Sequence, residues 1–279
     1  FVNGADAILS LLTDHIDGEV MDAAGSQLKV IANYAVGFDN IDLDAAKKRG
    51  IIVTNAPGDV VNESVAEHAI ALMLALAHRI PEADRFTKAE RYRGWEPMLL
   101  MGTLLYGKVF GIIGTGRIGG AAARRATGLG MKVLYTDLRR EKEIEKATGA
   151  LYCSKEELLR MADVVSVHVP LLPSTKYLID TAEFAMMKKT AYIINTSRGP
   201  VIDEKALVQA LQKKQIAGAG IDVLEEEPPS PDEPLFALDN VILAPHAIAW
   251  TDEIFRDNGL CDCEGIVKVM HGEIPEAVV

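Results

Sequence analysis

From residue 108 onward the chain alternates short apolar, β-rich runs with segments whose apolar positions recur three and four residues apart. The runs are "KVFGII" (108–113), "KVLYT" (132–136), "VVSVHV" (164–169), "AYIINT" (191–196), "IAGAGIDV" (216–223) and "VILA" (241–244). Each is continuously apolar and does not alternate with polar positions, which is the pattern of strands buried on both faces of a parallel sheet. Between them lie helix signals. Ser154-x-x-Glu157 and Asp180-x-x-Glu183 have capping-box spacing, Asp203 stands where "EKALVQALQKK" needs an N-cap, and Gly130 follows "GGAAARRATGL" at a C-terminal stop. Strand–helix alternation of this kind predicts right-handed βαβ units and an α/β fold with a doubly wound parallel sheet.

The N-terminal third has a different rhythm. "NESVAEHAIALMLALAHR" (62–79) predicts one long helix, apolar around most of its circumference, which must be buried on several sides at a domain junction or a subunit interface. His68 and His78 on it read as structural. Before it, residues 29–57 give strand, glycine turn, short helix and strand, a second and smaller α/β unit. The tail 251–273 is helical in pattern and returns to that unit. The expected domains are 1–57 plus 250–279, discontinuous, and 58–249.

Composition narrows the partners. The 279 residues carry a formal charge of −11, with no basic stripe interleaved with aromatics, which argues against nucleic acid. The longest purely apolar run, residues 69–77, is far short of the roughly 20 residues of a membrane span, so no membrane association is expected. Cys153, Cys261 and Cys263 have no zinc-like spacing and read as reduced thiols, so no metal site is expected and the expected location is the cytoplasm. No signal peptide is visible. The opening "FVNGADAILSLL" reads as if it enters a domain midway, with residues missing ahead of it.

"GIIGTGRIGG" (111–120) holds Gly114-x-Gly116-x-x-Gly119 between a strand and a helix, with Asp137 at the end of the next strand, 18 positions after Gly119 (137 − 119). In that context the motif predicts a dinucleotide site. Gly114 permits the turn, Gly116 lets the backbone approach a pyrophosphate, and Gly119 allows close helix–strand packing. The helix that begins near Arg117 offers free N–H groups and a positive dipole end. Asp137 would accept hydrogen bonds from a ribose and repel a 2′-phosphate, which favours NAD over NADP, although Arg139 and Arg140 follow at once and would soften that repulsion.

Ligands of open α/β sheets bind beyond the carboxyl ends of the strands. After "AYIINT" comes Ser197-Arg198-Gly199; after "IAGAGIDV" comes the acid cluster Glu225, Glu226 and Glu227; after "VILA" comes Pro245-His246. Each has a bland alternative: an arginine paired with Asp203 or Glu204, a solvated acidic loop, a packing histidine. Their convergence beside a coenzyme site favours catalysis. Reduction of a 2-oxo acid needs a proton at the carbonyl oxygen, and a carboxylate beside His246 would favour the imidazolium and fix its tautomer. Arg198 offers a planar fork for a carboxylate and a carbonyl oxygen.

The chain resembles the D-isomer-specific 2-hydroxyacid dehydrogenases along nearly its whole length, in "NYAVGFDNIDLDAAKKRGI", "TNAPG", "VAEHAIALMLALAHR", "GKVFGIIGTGRIG", "NTSRGPVIDEKAL", "AGAGIDVLEEEPP", "LDNVILAPH" and "GEIPEAVV". The resemblance implies a Rossmann domain with a smaller, discontinuous flavodoxin-like domain. It implies Arg198, Glu227 and His246 as the catalytic set, and selects Glu227 from the three glutamates. It further implies Arg117 and Ile118 at the pyrophosphate and Asp137 at the ribose. Asp222 would meet the nicotinamide carboxamide. Val169, Thr196 and Ser197 would line the coenzyme, and His246 to Ala249 would pass along the nicotinamide. Backbone amides around Val36 and Gly37 would hold the substrate carboxylate, with the domains closing over it. A homodimer joined largely through the 62–79 helix is also implied, and so is a further βαβ portion ahead of residue 1. Trp250 departs from the small residues usual after the histidine.

"NYAVG" (33–37) is similar to the glyoxylate/hydroxypyruvate reductase branch, whereas the phosphoglycerate dehydrogenase branch often has arginine at the position of Asn33. The expected substrate is a small unphosphorylated 2-oxo acid, with D-3-phosphoglycerate second. Formate dehydrogenases carry glutamine at the position of Glu227. The rival from another class is a non-catalytic NAD(H)-sensing protein like the corepressors built on this fold.

Overall fold

The structure, a computed structural model, describes residues 2–246 and 250–279. The chain divides into two compact units, residues 1–61 with 250–279 and residues 62–249. The pattern of the sequence puts the first crossing at 57/58; the contacts put it at 61/62, inside a helix.

The smaller unit is built from β1 (Ala7–Ser10), α1 (Gly18–Ala24), β2 (Val30–Asn33), α2 (Leu43–Arg49) and β3 (Ile52–Thr54), a parallel three-stranded sheet in the order β1-β2-β3. Both helices start on aspartate caps, Asp17 and Asp42, and Gly50 ends α2 in the left-handed conformation. Ile8, Met21, Ile31, Ile41 and Val53 form its core. The last residues add an antiparallel edge, with the Val279 amide donating to the Val53 carbonyl.

The larger unit opens with α3 (Asp59–Ala77) and α4 (Ile80–Lys88). The expected single helix ends sooner than its apolar pattern, because Arg79 takes a left-handed φ of 54° and Pro81 starts a new helix. There follow β4 (Val109–Ile113), α5 (Arg117–Gly128), β5 (Lys132–Thr136), α6 (Lys142–Thr148), β6 (Leu151–Tyr152), α7 (Lys155–Met161), β7 (Val164–Val167), α8 (Thr181–Met186), β8 (Tyr192–Asn195), α9 (Glu204–Gln212), β9 (Gly218–Ile221) and β10 (Val241–Leu243). The tail helix α10 (Asp252–Met270) belongs to the smaller unit. The capping boxes at Ser154 and Asp180 form as their spacing predicts. The edge strand β6 left no apolar run to read, being two residues long and exposed.

All seven strands are parallel, in the order β10-β9-β8-β7-β4-β5-β6. The chain starts in the middle at β4, winds outward to β6, and returns to β7 on the other side, so the crossover crevice lies between β4 and β7. Both faces are covered, which is why the runs are unbroken. Leu158, Phe184, Ile193 and Leu207 fill one side, and Met73, Phe110, Ile112 and Tyr135 the other. Each such side chain contributes about 1.5–3 kcal/mol by leaving water.

The apolar circumference of α3 is used within this chain. Ala66, Ala69, Ile70, Leu72, Met73, Leu76 and Ala77 are all buried in the second of these clusters. A Cβ on Gly220 of β9 would come within 3.0 Å of the Leu72 Cβ, so glycine there lets the helix seat tightly on the sheet. Much of this circumference is thus buried in the helix's own unit, while Glu67, Ala71 and His78 stay exposed. By length and composition α3 also meets the requirement for a membrane span, which the apolar run 69–77 alone did not suggest, but most of it is packed inside the unit.

Candidate active site

The glycine loop leaves β4 at the crevice, and each of its glycines has a distinct reason. Gly114 has a φ of 91°, and a Cβ there would lie 2.6 Å from the His168 carbonyl oxygen. A Cβ on Gly119 would lie 2.1 Å from the Gly114 carbonyl oxygen. A Cβ on Gly116 would meet nothing within 4 Å, so its backbone faces open space. Gly116 is also the N-cap of α5 and has no side chain to cap it, which leaves the first-turn N–H groups at Arg117 and Ile118 available to an anion. A pyrophosphate fits this cradle. Val169, two residues beyond β7, reaches the Gly114 position with its Cγ1 at 2.8 Å from where a Cβ would be.

Asp137 is placed directly after β5, and its carboxylate already holds the loop. Its Oδ2 accepts from the Thr115 amide (2.6 Å) and hydroxyl (3.0 Å), and its Oδ1 from the Leu138 amide (2.6 Å). Arg139 and Arg140 follow it on the chain. Each is paired with a glutamate of its own, Glu141 at 2.8 Å and Glu145 at 2.6 Å.

The three strand-end groups lie on loops that press against each other. Asn195, the last residue of β8, bends the chain: its Oδ1 accepts from the Ser197 amide and hydroxyl, and its Nδ2 donates to the Arg198 carbonyl. A Cβ on Gly199 would fall 1.8 Å from the Leu224 carbonyl oxygen, so only glycine lets the arginine loop lie against the glutamate loop. Asp203 caps α9 and Glu204 accepts from the Glu225 amide. The acids that the sequence offered as ordinary partners of Arg198 are thus engaged elsewhere.

Of the three glutamates, Glu225 accepts from the Tyr177 hydroxyl, whereas Glu227 meets His246. Glu227 Oε1 accepts from the Leu224 amide at 2.9 Å, and Oε2 lies 2.7 Å from His246 Nδ1. Burial pushes the Glu227 carboxyl up, but the hydrogen bonds from His246 and the Leu224 amide outweigh it. With the charges of His246 and Arg198 they hold the group below the usual glutamate range. His246 has a left-handed φ of 53°, and its amide donates to the Asp222 carbonyl at 2.8 Å. A non-glycine residue in that region is strained by about 1–3 kcal/mol, and here the strain turns the ring toward the carboxylate. With Nδ1 on Glu227, Nε2 is the ring nitrogen left for a ligand.

His68, which the pattern read as structural, belongs to this neighbourhood, as do His168 and Thr196. His68 on α3 is buried with its Nε2 3.8 Å from Asp222 Oδ1, and burial holds it below the ordinary histidine range, outweighing the Asp222 charge. His168 accepts from or donates to Ser166 at 2.8 Å, and burial pushes its pKa down to about 4, so it stays neutral. The Thr196 hydroxyl is buried without a hydrogen-bond partner among the described residues. Spacing could not reveal the His68 contact, since it joins a helix to the end of a strand far off in sequence. Val36 and Gly37 lie in the smaller unit, after β2. Trp250 stacks on Tyr34 there, ring centroids 5.4 Å apart. Ala249 lies outside the described residues.

Residues 70–247 match the family model of the D-isomer specific 2-hydroxyacid dehydrogenase NAD binding domain. The chain is 48% identical to a glyoxylate reductase of Korarchaeum cryptofilum, over all of this chain and 83% of that protein. It is 46% identical to a glyoxylate reductase of Thermococcus litoralis, over all of this chain and 84% of that protein. Among solved structures it is similar to the TT0316 protein of Thermus thermophilus, with a TM-score of 0.94, 40% identity, and coverage of 100% of this chain and 87% of that one. It is also similar to a D-lactate dehydrogenase of Aquifex aeolicus complexed with NAD and lactic acid, with a TM-score of 0.88, 33% identity, and coverage of 100% and 87%.

Proposed function

The chain belongs to the D-isomer specific 2-hydroxyacid dehydrogenases, NAD-dependent enzymes that interconvert 2-oxo and 2-hydroxy acids, and from that premise we propose that it reduces glyoxylate or hydroxypyruvate with His246 as the proton donor. The observation that carries this reading is the 2.7 Å contact between His246 Nδ1 and Glu227, which commits the other ring nitrogen to the substrate side. NADH supplies the hydride when bound. Gly114, Gly116, Arg117, Ile118 and Gly119 hold its pyrophosphate, Asp137 its ribose, and Val169, Thr196, Ser197 and Asp222 the nicotinamide end. Ala249 follows His246 toward that end.

In this mechanism His246 Nε2 gives its proton to the carbonyl oxygen as the carbon is reduced, and recovers it from water in the next cycle. Glu227 fixes the tautomer and stabilises the charged ring. Arg198 orients the substrate through its carboxylate and carbonyl oxygen, and stabilises charge developing on that oxygen. The amides around Val36 and Gly37 receive the carboxylate from the smaller unit. Asn33 supports a small unphosphorylated substrate over D-3-phosphoglycerate: it is neutral and fully buried, with its carboxamide spent on neighbouring groups.

We place the protein in the cytoplasm as a homodimer. The stretch after α3 supports the dimer. Ile80, Tyr92, Trp95, Met98, Met101, Leu104 and Tyr106 are all exposed in the single chain, Trp95 at 84%, a density that marks a protein–protein surface. The test of function is a panel of 2-oxo acids followed by NADH absorbance. Turnover highest with glyoxylate or hydroxypyruvate is expected, and none with either would refute the substrate assignment.

A further inference from the structure

The backbone of Asp222, just beyond β9, is clamped on both sides. Its amide donates to the Asn195 carbonyl at the end of β8 at 3.0 Å, and its carbonyl accepts from the His246 amide at 2.8 Å. Such clamps leave the direction of the carboxylate to whatever flanks the side chain, and one flank is set by α3. The helix seats on the sheet at Leu72 and Gly220, with 3.0 Å between the Leu72 Cβ and the place of a Cβ on Gly220. His68 stands four residues before Leu72 on the same helix face, and Asp222 two residues after Gly220 on the same side of the sheet, so the seat brings the two side chains together. His68 Nε2 lies 3.8 Å from Asp222 Oδ1, with the two side chains 4% and 6% exposed. Burial keeps the ring below the ordinary histidine range against the pull of the Asp222 charge, so at neutral pH it is uncharged and carries one N–H. The carboxylate oxygen opposite Nε2 favours the tautomer with the proton there. Among the described residues neither ring nitrogen has a hydrogen-bond partner. The contact is about 1 Å longer than a hydrogen bond, so a small rotation of the Asp222 side chain completes one, and closing it recovers the cost of a buried donor left unspent.

We propose that His68 is a positioning residue whose Nε2–H takes one oxygen of the Asp222 carboxylate and so turns the other toward the carboxamide of a bound nicotinamide. The proposal rests on the reading that puts Asp222 at the nicotinamide end of the coenzyme, and adds what aims it there. A carboxylate accepts at both oxygens. With one held from a helix packed into the core, the other has a defined direction before the coenzyme arrives, which removes part of the ordering cost of binding. The charge state of the ring matters as much as its place. A protonated ring would pair with Asp222 and cancel the negative charge that a cationic nicotinamide would meet, whereas a neutral donor orients the carboxylate and leaves that charge intact. An apolar side chain of similar volume would fill the same space under α3 and aim nothing.

The variants are His68→Leu, which has no donor, and His68→Gln, which keeps an N–H at the end of its side chain. Binding of NAD+ and of ADP-ribose, which lacks the nicotinamide, is measured for each by isothermal titration calorimetry. Kd for NAD+ is expected to rise about tenfold or more in His68→Leu, the usual consequence of losing a hydrogen bond to a charged group, and to return to within about threefold of the parent in His68→Gln. Kd for ADP-ribose is expected to stay unmoved in both. A general loss of structure would weaken both ligands together. That result, or a His68→Leu protein with wild-type affinity for NAD+, or a His68→Gln protein no tighter than His68→Leu, overturns the proposal. If His68→Leu does not fold, His68→Met, also without a donor, decides. Asp222→Ala separates the two readings. If it too binds NAD+ like the parent, the assignment of Asp222 to the nicotinamide falls and this inference with it, whereas lost affinity in Asp222→Ala beside an unmoved His68→Leu sinks this inference alone.

Discussion

Asp262 on α10 is 1% exposed and neither of its carboxylate oxygens has a hydrogen-bond partner. The Thr54 hydroxyl, also buried and unpartnered, lies against the same helix one turn on, at Gly265. Burial pushes the Asp262 carboxyl from 3.8 up to about 7. The nearby groups that feel its charge are the Tyr34 phenol and the Cys261 thiol, neither a cation at working pH. A carboxyl whose pKa is raised on folding binds its proton more tightly in the folded chain. The folded state is therefore favoured most below about pH 4, and that advantage is lost as pH rises toward 7. Three pKa units correspond to about 4 kcal/mol, a ceiling that water entry and local relaxation reduce to roughly 1–3 kcal/mol. Asp262→Asn keeps the shape and removes the charge. The variant should be more stable than the parent by that amount at pH 8, and the two should converge near pH 4. Urea denaturation at a series of pH values, with the m-value held as a check on two-state behaviour, measures it. Parallel stability curves at all pH values would refute the claim that Asp262 is forced to ionise inside the unit.

The chemistry of the larger unit gives further expectations from four substitutions. His246→Gln should leave the NADH dissociation constant within a few-fold of the parent while kcat falls by about 100-fold or more, read by fluorescence titration and steady-state rates. Arg198→Lys keeps the charge but loses the planar fork, so KM for the 2-oxo acid should rise about tenfold with kcat also reduced, while Glu227→Gln should lower kcat chiefly. Gly199→Ala places a methyl group on the Leu224 carbonyl, so stability should fall by about 1–3 kcal/mol. Because the arginine and glutamate loops are forced apart together, kcat should drop about 100-fold without any reacting group being altered.

Much of this was legible in the residues because the larger unit is a parallel sheet. Strands buried on both faces must be apolar throughout, and "KVLYT" is a strand from its first residue to its last. The run "IAGAGIDV" shrinks to Gly218–Ile221, because hydropathy does not register where the ladder hydrogen bonds stop. The glycine loop and the three strand-end groups follow from the rule that ligands gather beyond carboxyl ends. What stayed hidden are contacts that spacing does not register: that His68 lies against Asp222, and that Asn33 and Asn55 grip loop carbonyls. Asparagine before a turn looks like any turn residue, and only the coordinates say which carbonyl its amide holds. The apolar circumference of α3 left two readings open for a related reason, since a helix buried within its own domain and one buried against a second chain have the same pattern.

Asp137 serves as a strut, beyond the ribose role proposed for it. The same oxygen that would discriminate between coenzymes also ties Thr115 into the turn below it, by two hydrogen bonds. Re-engineering the enzyme to run on the phosphorylated coenzyme is therefore not a one-letter edit. Any substitution that admits the extra phosphate also slackens the turn that must grip the shared pyrophosphate. A successful redesign has to give Thr115 a replacement acceptor in the same step.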